Sequence, residues 1–306
     1  MNGTLIRRVA AVSLFLAVLV VPKASAAARV FLSGTGVDSG DCTDAANPCR
    51  SLQYAIDQAA VGAEVVIVSS GGYGGATITK SISVNAPTGV VAFVGRTITV
   101  NIASTDTVTL RGLSMNGAVF GDANGIEFIA GGTLNVENTV ISAFSAHGIK
   151  DKAWGSKLWV NNCDVKKATN GIFVSGPGTS AVIENSRSLD NFNAGMFADD
   201  SAIVVIRNSV AAGNLTGTGF VALASLGATT EMIVDSCLST NNARGLWSFT
   251  SDANSVATLR AGQNIVMNNT QSNLVVSGAG FLISHGGNRV GATGGTTGFT
   301  STEAQQ

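Results

Sequence analysis

Between about residues 110 and 262 apolar and polar positions alternate in short runs, and the runs recur. A glycine followed by an apolar residue stands at Gly125-Ile126, Gly148-Ile149, Gly171-Ile172, Gly195-Met196, Gly219-Phe220 and Gly245-Leu246, at spacings of 23, 23, 24, 24 and 26 residues. About ten residues before each glycine an alternating run closes on a small polar residue: Val136-Glu137-Asn138, Val160-Asn161-Asn162, Ile183-Glu184-Asn185, Ile206-Arg207-Asn208 and Val234-Asp235-Ser236, with Leu110-Arg111-Gly112 and Leu259-Arg260-Ala261 flanking the series. The two markers stay in step while both drift, as stacked units with loops of variable length would. No unit carries an apolar stripe at helical spacing long enough for a helix. The pattern predicts an all-β solenoid of parallel strands, each pairing with the windings above and below.

Alternation assigns the faces. Leu134, Val136, Leu158, Val160, Val204, Ile206, Met232 and Val234 are expected to point inward from one strand. Ile126, Ile149, Ile172, Met196, Phe220 and Leu246 are expected to do so from a second. Each unit reads as two strands and a turn. The marker glycines are expected at bends of positive φ. Asn138, Asn162, Asn185 and Asn208 are expected to stack at one repeated bend and to hydrogen-bond along the solenoid axis.

The first residues do not fit the repeat. Arg7 and Arg8 precede an apolar run at 9–21, Pro22 breaks it, and Ala24-Ser25-Ala26 follows. That layout is a secretory signal, expected over 1–26, and the run is too short for a membrane anchor. The solenoid is expected over 27–290, with an N-terminal cap at about 27–62 and a flexible Gly- and Thr-rich tail at 291–306. Export implies a secreted or periplasmic location without membrane insertion. There Cys42 and Cys49, bracketing a turn-rich stretch, are expected to form a disulfide. Cys163 and Cys237 fall at nearly the same position of windings three apart. At about 4.8 Å per winding that is about 14 Å, beyond the reach of a disulfide, so both are read as buried thiols. Charged residues make up 12% of the chain and the net charge is −1. Nucleic acid is a poor partner for such a chain, because phosphate binding needs clustered Lys and Arg.

These repeats resemble the right-handed parallel β-helix of the pectin-lyase-like superfamily. The block Val30-Phe31-Leu32-Ser33, Cys42, Asn47-Pro48-Cys49-Arg50-Ser51-Leu52 and Ala55-Ile56 resembles the opening of many bacterial secreted members. The resemblance covers roughly residues 29–290. It implies a single-stranded right-handed solenoid whose first coil is capped by a short helix. Ser51 is placed to N-cap that helix, and Leu52, Ala55, Ile56 and Ala59 to form its apolar face.

Enzymes of the superfamily use acidic clusters, often with calcium, and a Lys or Arg base. The Trp-x-Asp-His strand of pectate lyases, the Gly-His-Gly of polygalacturonases and the Gln-Asp-Thr-Leu of pectin methylesterases are missing. The chain has two histidines, His147 and His285. Units of this length leave little chain to wall a cleft. One constellation could serve an acidic polysaccharide. Asp164 and Arg187 fall at equivalent positions of neighbouring windings, and Lys167 and Asp190 three residues on. Asp199 and Asp200 are weaker candidates for calcium. The bland reading is a set of exposed ion pairs. The outward row Arg111, Glu137, Asn161, Glu184, Arg207, Asp235, Arg260 similarly reads as a charge ladder that keeps register.

Two further outward rows turn apolar along the axis: Glu127, Lys150, Phe173, Phe197, Val221, Trp247, and Asn135, Trp159, Val182, Val205, Ile233. Their aromatic members Trp159, Phe173, Phe197 and Trp247 are the candidate binding stripe, for an extracellular glycan or another protein subunit. The function the sequence favours is a non-catalytic carbohydrate-binding or structural module. The alternative is a lyase or glycoside hydrolase acting on pectin-like polysaccharide, with calcium as its possible cofactor.

Overall fold

The computed structural model describes residues 29–292 and 297–304. The leader expected at 1–26 lies outside the described residues. Each winding lays one strand on each of three parallel sheets in turn. Thr133–Glu137 joins the first, Val140–Ser142 the second and His147–Asp151 the third, and Lys157–Asn161 returns to the first. Among the described residues the sheets hold 12, 10 and 9 strands and make about nine windings. Every strand pair is parallel, and the third-sheet register runs Ile126↔Ile149↔Ile172↔Met196↔Phe220↔Leu246, with one shift, between Phe128 and Ala130. All of the side chains expected to point inward are buried, at 0–1% exposure.

Three strands per winding replace the two read from the pattern. The strand that was missed is three residues long, as in Asp164–Lys166, Arg187–Leu189 and Val210–Ala212. It points one residue inward, so it has no alternation to detect.

The corners also divide their work differently. No marker glycine has a positive φ. The left-handed conformation belongs instead to Asn138, Asn162, Asn185, Asn208, Ser236 and Gln263 at the first corner of successive windings. At the second corner it belongs to Ala143, Lys167, Asp190, Gly213, Asn241 and Asn268. The marker glycines are needed for a different reason, the close approach of the next winding. A Cβ on Gly171 would stand 2.0 Å from Ser188 Oγ and 2.6 Å from the Gly195 carbonyl oxygen, and one on Gly195 2.7 Å from the Gly219 carbonyl oxygen. The asparagine stack is partly as expected. Asn162 donates its side-chain amide to Asn138 Oδ1 at 2.8 Å, whereas Asn185 donates to Asn161.

A second asparagine row lies inside and satisfies corner N–H groups. The backbone N–H of Ala168 donates to Asn191 Oδ1, that of Asn191 to Asn214 Oδ1, that of Asn214 to Asn242 Oδ1 and that of Asn242 to Asn269 Oδ1, at 2.8–3.1 Å. All four asparagines are buried. The residue after each first-corner bend does the same for the winding before it. Cys163 N–H donates to Ser186 Oγ, Ser186 N–H to Ser209 Oγ, Ser209 N–H to Cys237 Sγ and Cys237 N–H to Asn264 Oδ1. Cys163 and Cys237 are therefore members of one polar ladder, three windings apart, buried and unbridged.

The ends are finished by local chain. Cys42 and Cys49 are disulfide-bonded, with Cα atoms 5.4 Å apart. The disulfide closes a loop hydrogen-bonded to the first strand, Arg29–Leu32. Leu52–Gln58 is helical, with Ser51 accepting from the Tyr54 N–H and Leu52, Ala55 and Ile56 buried. The stretch read as a flexible tail returns to the solenoid at 297–304. Ser301–Thr302 pairs with Phe281–Ser284, Phe299 packs on the core, and Glu303 bonds to Arg260 and His285. Arg260 leaves the charge ladder. Gly262, not Arg260, faces Asp235, because the left-handed bend falls at Gln263, and Arg260 instead faces Ile233. Among the described residues no helix is long and apolar enough to cross a membrane.

Two outcomes follow. Gly171→Ala is expected to cost about 3 kcal/mol by overpacking. Gly227→Ala, where a Cβ meets nothing within 4 Å but φ is +79°, costs about 1–2 kcal/mol; urea unfolding midpoints separate the two. Burial pushes the Cys163 and Cys237 thiols up to about 12. A thiol reagent at pH 8 should therefore find no reactive group in the native protein and two in denaturant without reductant.

Candidate functional site

The second-sheet strands and the corner that ends them carry the charged constellation. Asp164 begins a second-sheet strand and faces Arg187 in the next winding. Arg187 grips Asp164 with both Nε and Nη2, each at 2.5 Å. The carboxylate raises the guanidinium pKa further. The pair offsets its own charge, with Asp164 the more buried partner.

Lys167 and Asp190 lie at the far end of the same strands, at left-handed corner positions of neighbouring windings. Among the described residues neither takes part in an ion pair. A Cβ on Gly213 would stand 2.2 Å from Asp190 Oδ1, so the carboxylate lies directly over the bare backbone of the winding above. The four residues of the constellation thus separate into a closed ion pair and an open corner pair.

An open groove of about 700 Å³ runs along this corner over four windings. Lys167, Asp190, Thr169 and Thr216 line it together with Phe192 and Leu215. Phe192 is 69% and Leu215 67% exposed, although both sit on the corner of a regular solenoid. The chain reaches these positions by insertion: the corner before Gly195 is one residue longer than that before Gly171, and the corner before Gly219 is longer again. Sequence reading missed both residues, because they belong to no outward row. The signal available was the lengthened spacing itself.

The third sheet begins where this corner ends. Its outer row runs in register Glu127, Lys150, Phe173, Phe197, Val221, Trp247 as expected. Val221 is buried and the other members are half-buried. His147 stacks on Phe173 at 4.8 Å, Phe173 meets Phe197 edge-on at 5.3 Å, and Lys150 bonds to Glu127 at 2.6 Å. Trp247 lies between Arg244 and Phe249 and donates to Ser277 Oγ. Burial, helped by the charge of Lys150, lowers His147 to about 4. It is therefore neutral at pH 7, with Asn170 Nδ2 3.3 Å from its Nδ1. Trp159 is not part of this surface. It lies on the first sheet, facing Asn135 and Val182, at 48% exposure, so the four aromatics do not form one stripe.

Asp199 and Asp200 close the third-sheet strand Ala194–Asp199 and start the next corner. Burial, with the charge of Asp200 second, pushes Asp199 up to about 6. The Asp200 oxygens accept from the Ser175 and Ser225 hydroxyls. Calcium takes six to eight oxygens. Among the described residues no group of three or more His, Cys, Asp or Glu gathers here or elsewhere. The residues do not fit a calcium site.

The exposed pair and the interior ladder should differ in cost. Arg187→Ala is expected to lower stability by less than about 1 kcal/mol. Asn242→Ala, which orphans buried N–H groups, costs about 1–3 kcal/mol. Equilibrium denaturation of the two variants checks the order.

No curated protein matches this chain in sequence. Two solved structures share its architecture. The crystal structure of the pectate lyase Pel9A superposes with a TM-score of 0.54 at 17% identity, covering 89% of this chain and 79% of that one. The complex of XylC with xylose superposes with a TM-score of 0.60 at 10% identity, covering 85% and 70%. At these identities the likeness is one of fold. The profile of the right-handed β-helix region matches residues 98–270, more than half of the sequence, and the chain belongs to the right-handed β-helix family.

Proposed function

We propose that this solenoid is an exported, non-catalytic carbohydrate-binding module whose ligand lies in the second-corner groove and extends over the third sheet. The observation that carries the reading is the pair of exposed apolar side chains, Phe192 and Leu215, beside the unpaired Lys167 and Asp190. Sugar rings offer one apolar face and a rim of hydroxyls. An exposed phenyl ring supplies the first contact, and a charged rim with Thr169 and Thr216 the second. The groove is shallow and open, which suits retention of a chain passing over it. Arg187, the base a lyase would need, gives its Nε and Nη2 to Asp164. The Cys42–Cys49 disulfide fits an oxidising compartment. The helix Leu52–Gln58 serves, in this reading, as the cap of the first coil.

A glycan array followed by titration calorimetry on the retained oligosaccharides tests the reading. Retention without release of reducing or unsaturated ends is expected, with at least about tenfold weaker binding in Phe192→Ala/Leu215→Ala, since buried contacts of this kind are worth more than about 1.4 kcal/mol together. Turnover of a polysaccharide, or binding indifferent to that double substitution, overturns it.

A further inference from the structure

The first sheet presents an outer face that the groove does not use. Its strands carry three outward rows in register. The middle row turns apolar as Trp159, Val182, Val205, Ile233. Beside it, toward the start of the strands, runs Lys157, Ser180, Ile203, Glu231, and toward their end Asn161, Glu184, Arg207, Asp235. The face stands open: Trp159 is 48%, Ile203 49% and Phe281 46% exposed. The returning tail pairs edge-on with the last of these strands and does not cross them. Among the described residues Lys157, Glu184 and Arg207 take part in no ion pair, although Glu184 and Arg207 are register neighbours.

The spacing of the rows says what fits them. Each row repeats at about 4.8 Å along the axis. A surface with the same repeat can match it winding for winding, and a second copy of this chain supplies one. Facing sheets pack about 10 Å apart with their strands within about 30°. A two-fold axis lying along the strands turns the second solenoid end for end and keeps each row opposite itself. Charge then decides where that axis falls. Through the winding of Glu184 it would set Glu184 on Glu184, and through the next winding Arg207 on Arg207. Midway between those windings it sets Glu184 of each copy opposite Arg207 of the other. The same axis sets Val182 on Val205, Trp159 on Ile233, and Lys157 opposite Glu231, which accepts from Arg260 of its own chain through one oxygen. One winding earlier, Val205 would fall on Asn135 instead. With the two solenoids running in the same direction, Glu231 would fall on Asp235.

We propose that the first sheet is a homodimer face, on which two copies pack end for end about a two-fold axis between the windings of Glu184 and Arg207. Apolar side chains meet at its centre, and no like charges are opposed. The eight strands from Thr107–Arg111 to Phe281–Ser284 overlap in this arrangement. They present a face of roughly 600 Å², close to the about 800 Å² per partner of a standard interface. The second corner does not border this sheet, so both grooves stay open in the dimer. The dimer does not rest on the glycan reading.

Sedimentation velocity over a concentration series tests it, with a dimer expected at micromolar concentration. Val205→Asp sets a carboxylate against Val182 of the second copy and should weaken the dimer more than about a hundredfold. Its side chain points outward, and an unchanged circular dichroism spectrum shows the windings kept. Glu184→Lys opposes like charges twice per dimer, as Arg207→Glu does, and each variant alone should dimerise about tenfold more weakly. Mixed in equal amounts, the two variants oppose unlike charges again at both positions and should form a heterodimer of the original strength. A dimer indifferent to Val205→Asp, or charge variants that fail to rescue one another, overturns the arrangement. A monomer at every concentration overturns it too. Protection of Trp159 from acrylamide in that monomer, measured with Trp154→Phe and Trp247→Phe, would assign the face to the N-terminal residues of the same chain.

Discussion

Each winding hydrogen-bonds to the next along all three sheets, and this fixes every residue about 4.8 Å from its counterpart one turn away. The axial spacing is set by the backbone and leaves side chains no choice of neighbour. Whatever stands at a given position must tolerate a similar residue directly above and below it. Isoleucine on isoleucine in the third sheet does so by packing. Glycine on glycine at its entrance does so because the carbonyl of the next winding occupies the place of a Cβ. Charges in the outward rows do so by alternating or by pairing, as Arg111 does with Glu137.

The same constraint creates the interior polar ladders. At a corner the chain turns away from its sheet, and its N–H groups lose the carbonyls they would meet in a straight strand. A buried N–H without a partner costs about 1–3 kcal/mol. Asn191, Asn214, Asn242 and Asn269 at one corner, and Ser186, Ser209, Cys237 and Asn264 at another, each place an acceptor under the corner one winding away. Cysteine is interchangeable with serine in such a row because its sulfur still accepts. That explains two free thiols in the interior of a chain that also holds a disulfide.

Much of this was legible in the sequence because periodicity is a property of stacking. Register, the inward rows, the thiols and the two apolar outward rows all follow from aligning Gly148 with Gly171 and Asn162 with Asn185. What escaped was what the period does not encode. Three-residue strands such as Arg187–Leu189 have one inward residue and no alternation. The marker glycines were assigned to positive φ because glycine does both jobs, bending and making room, and sequence does not say which. Arg260 was misplaced because its triplet ends on an inward alanine and not on the bend. In the candidate site, Lys167 and Asp190 were visible as an aligned pair, but their separation from the closed Asp164–Arg187 pair depends on which corner turns where. Phe192 and Leu215 were invisible because they lie in inserted residues.

That last failure has a physical reason that bears on where function can arise. A strand cannot gain a residue without reversing every inward side chain beyond it, so insertions gather at corners, and the register shift between Phe128 and Ala130 falls at the very end of its strand. An inserted residue at a corner has no counterpart above or below and no room inside, so it projects outward whatever its polarity. Phe192, Leu215, Trp154 and Leu226 are the most exposed large apolar side chains beyond the N-terminal coils, and all four stand on corners. The sheets between them are committed to register. Chemistry that distinguishes this chain from any other stack of the same windings must therefore be written at the edges of the prism, and the groove at the second corner is one place where it is.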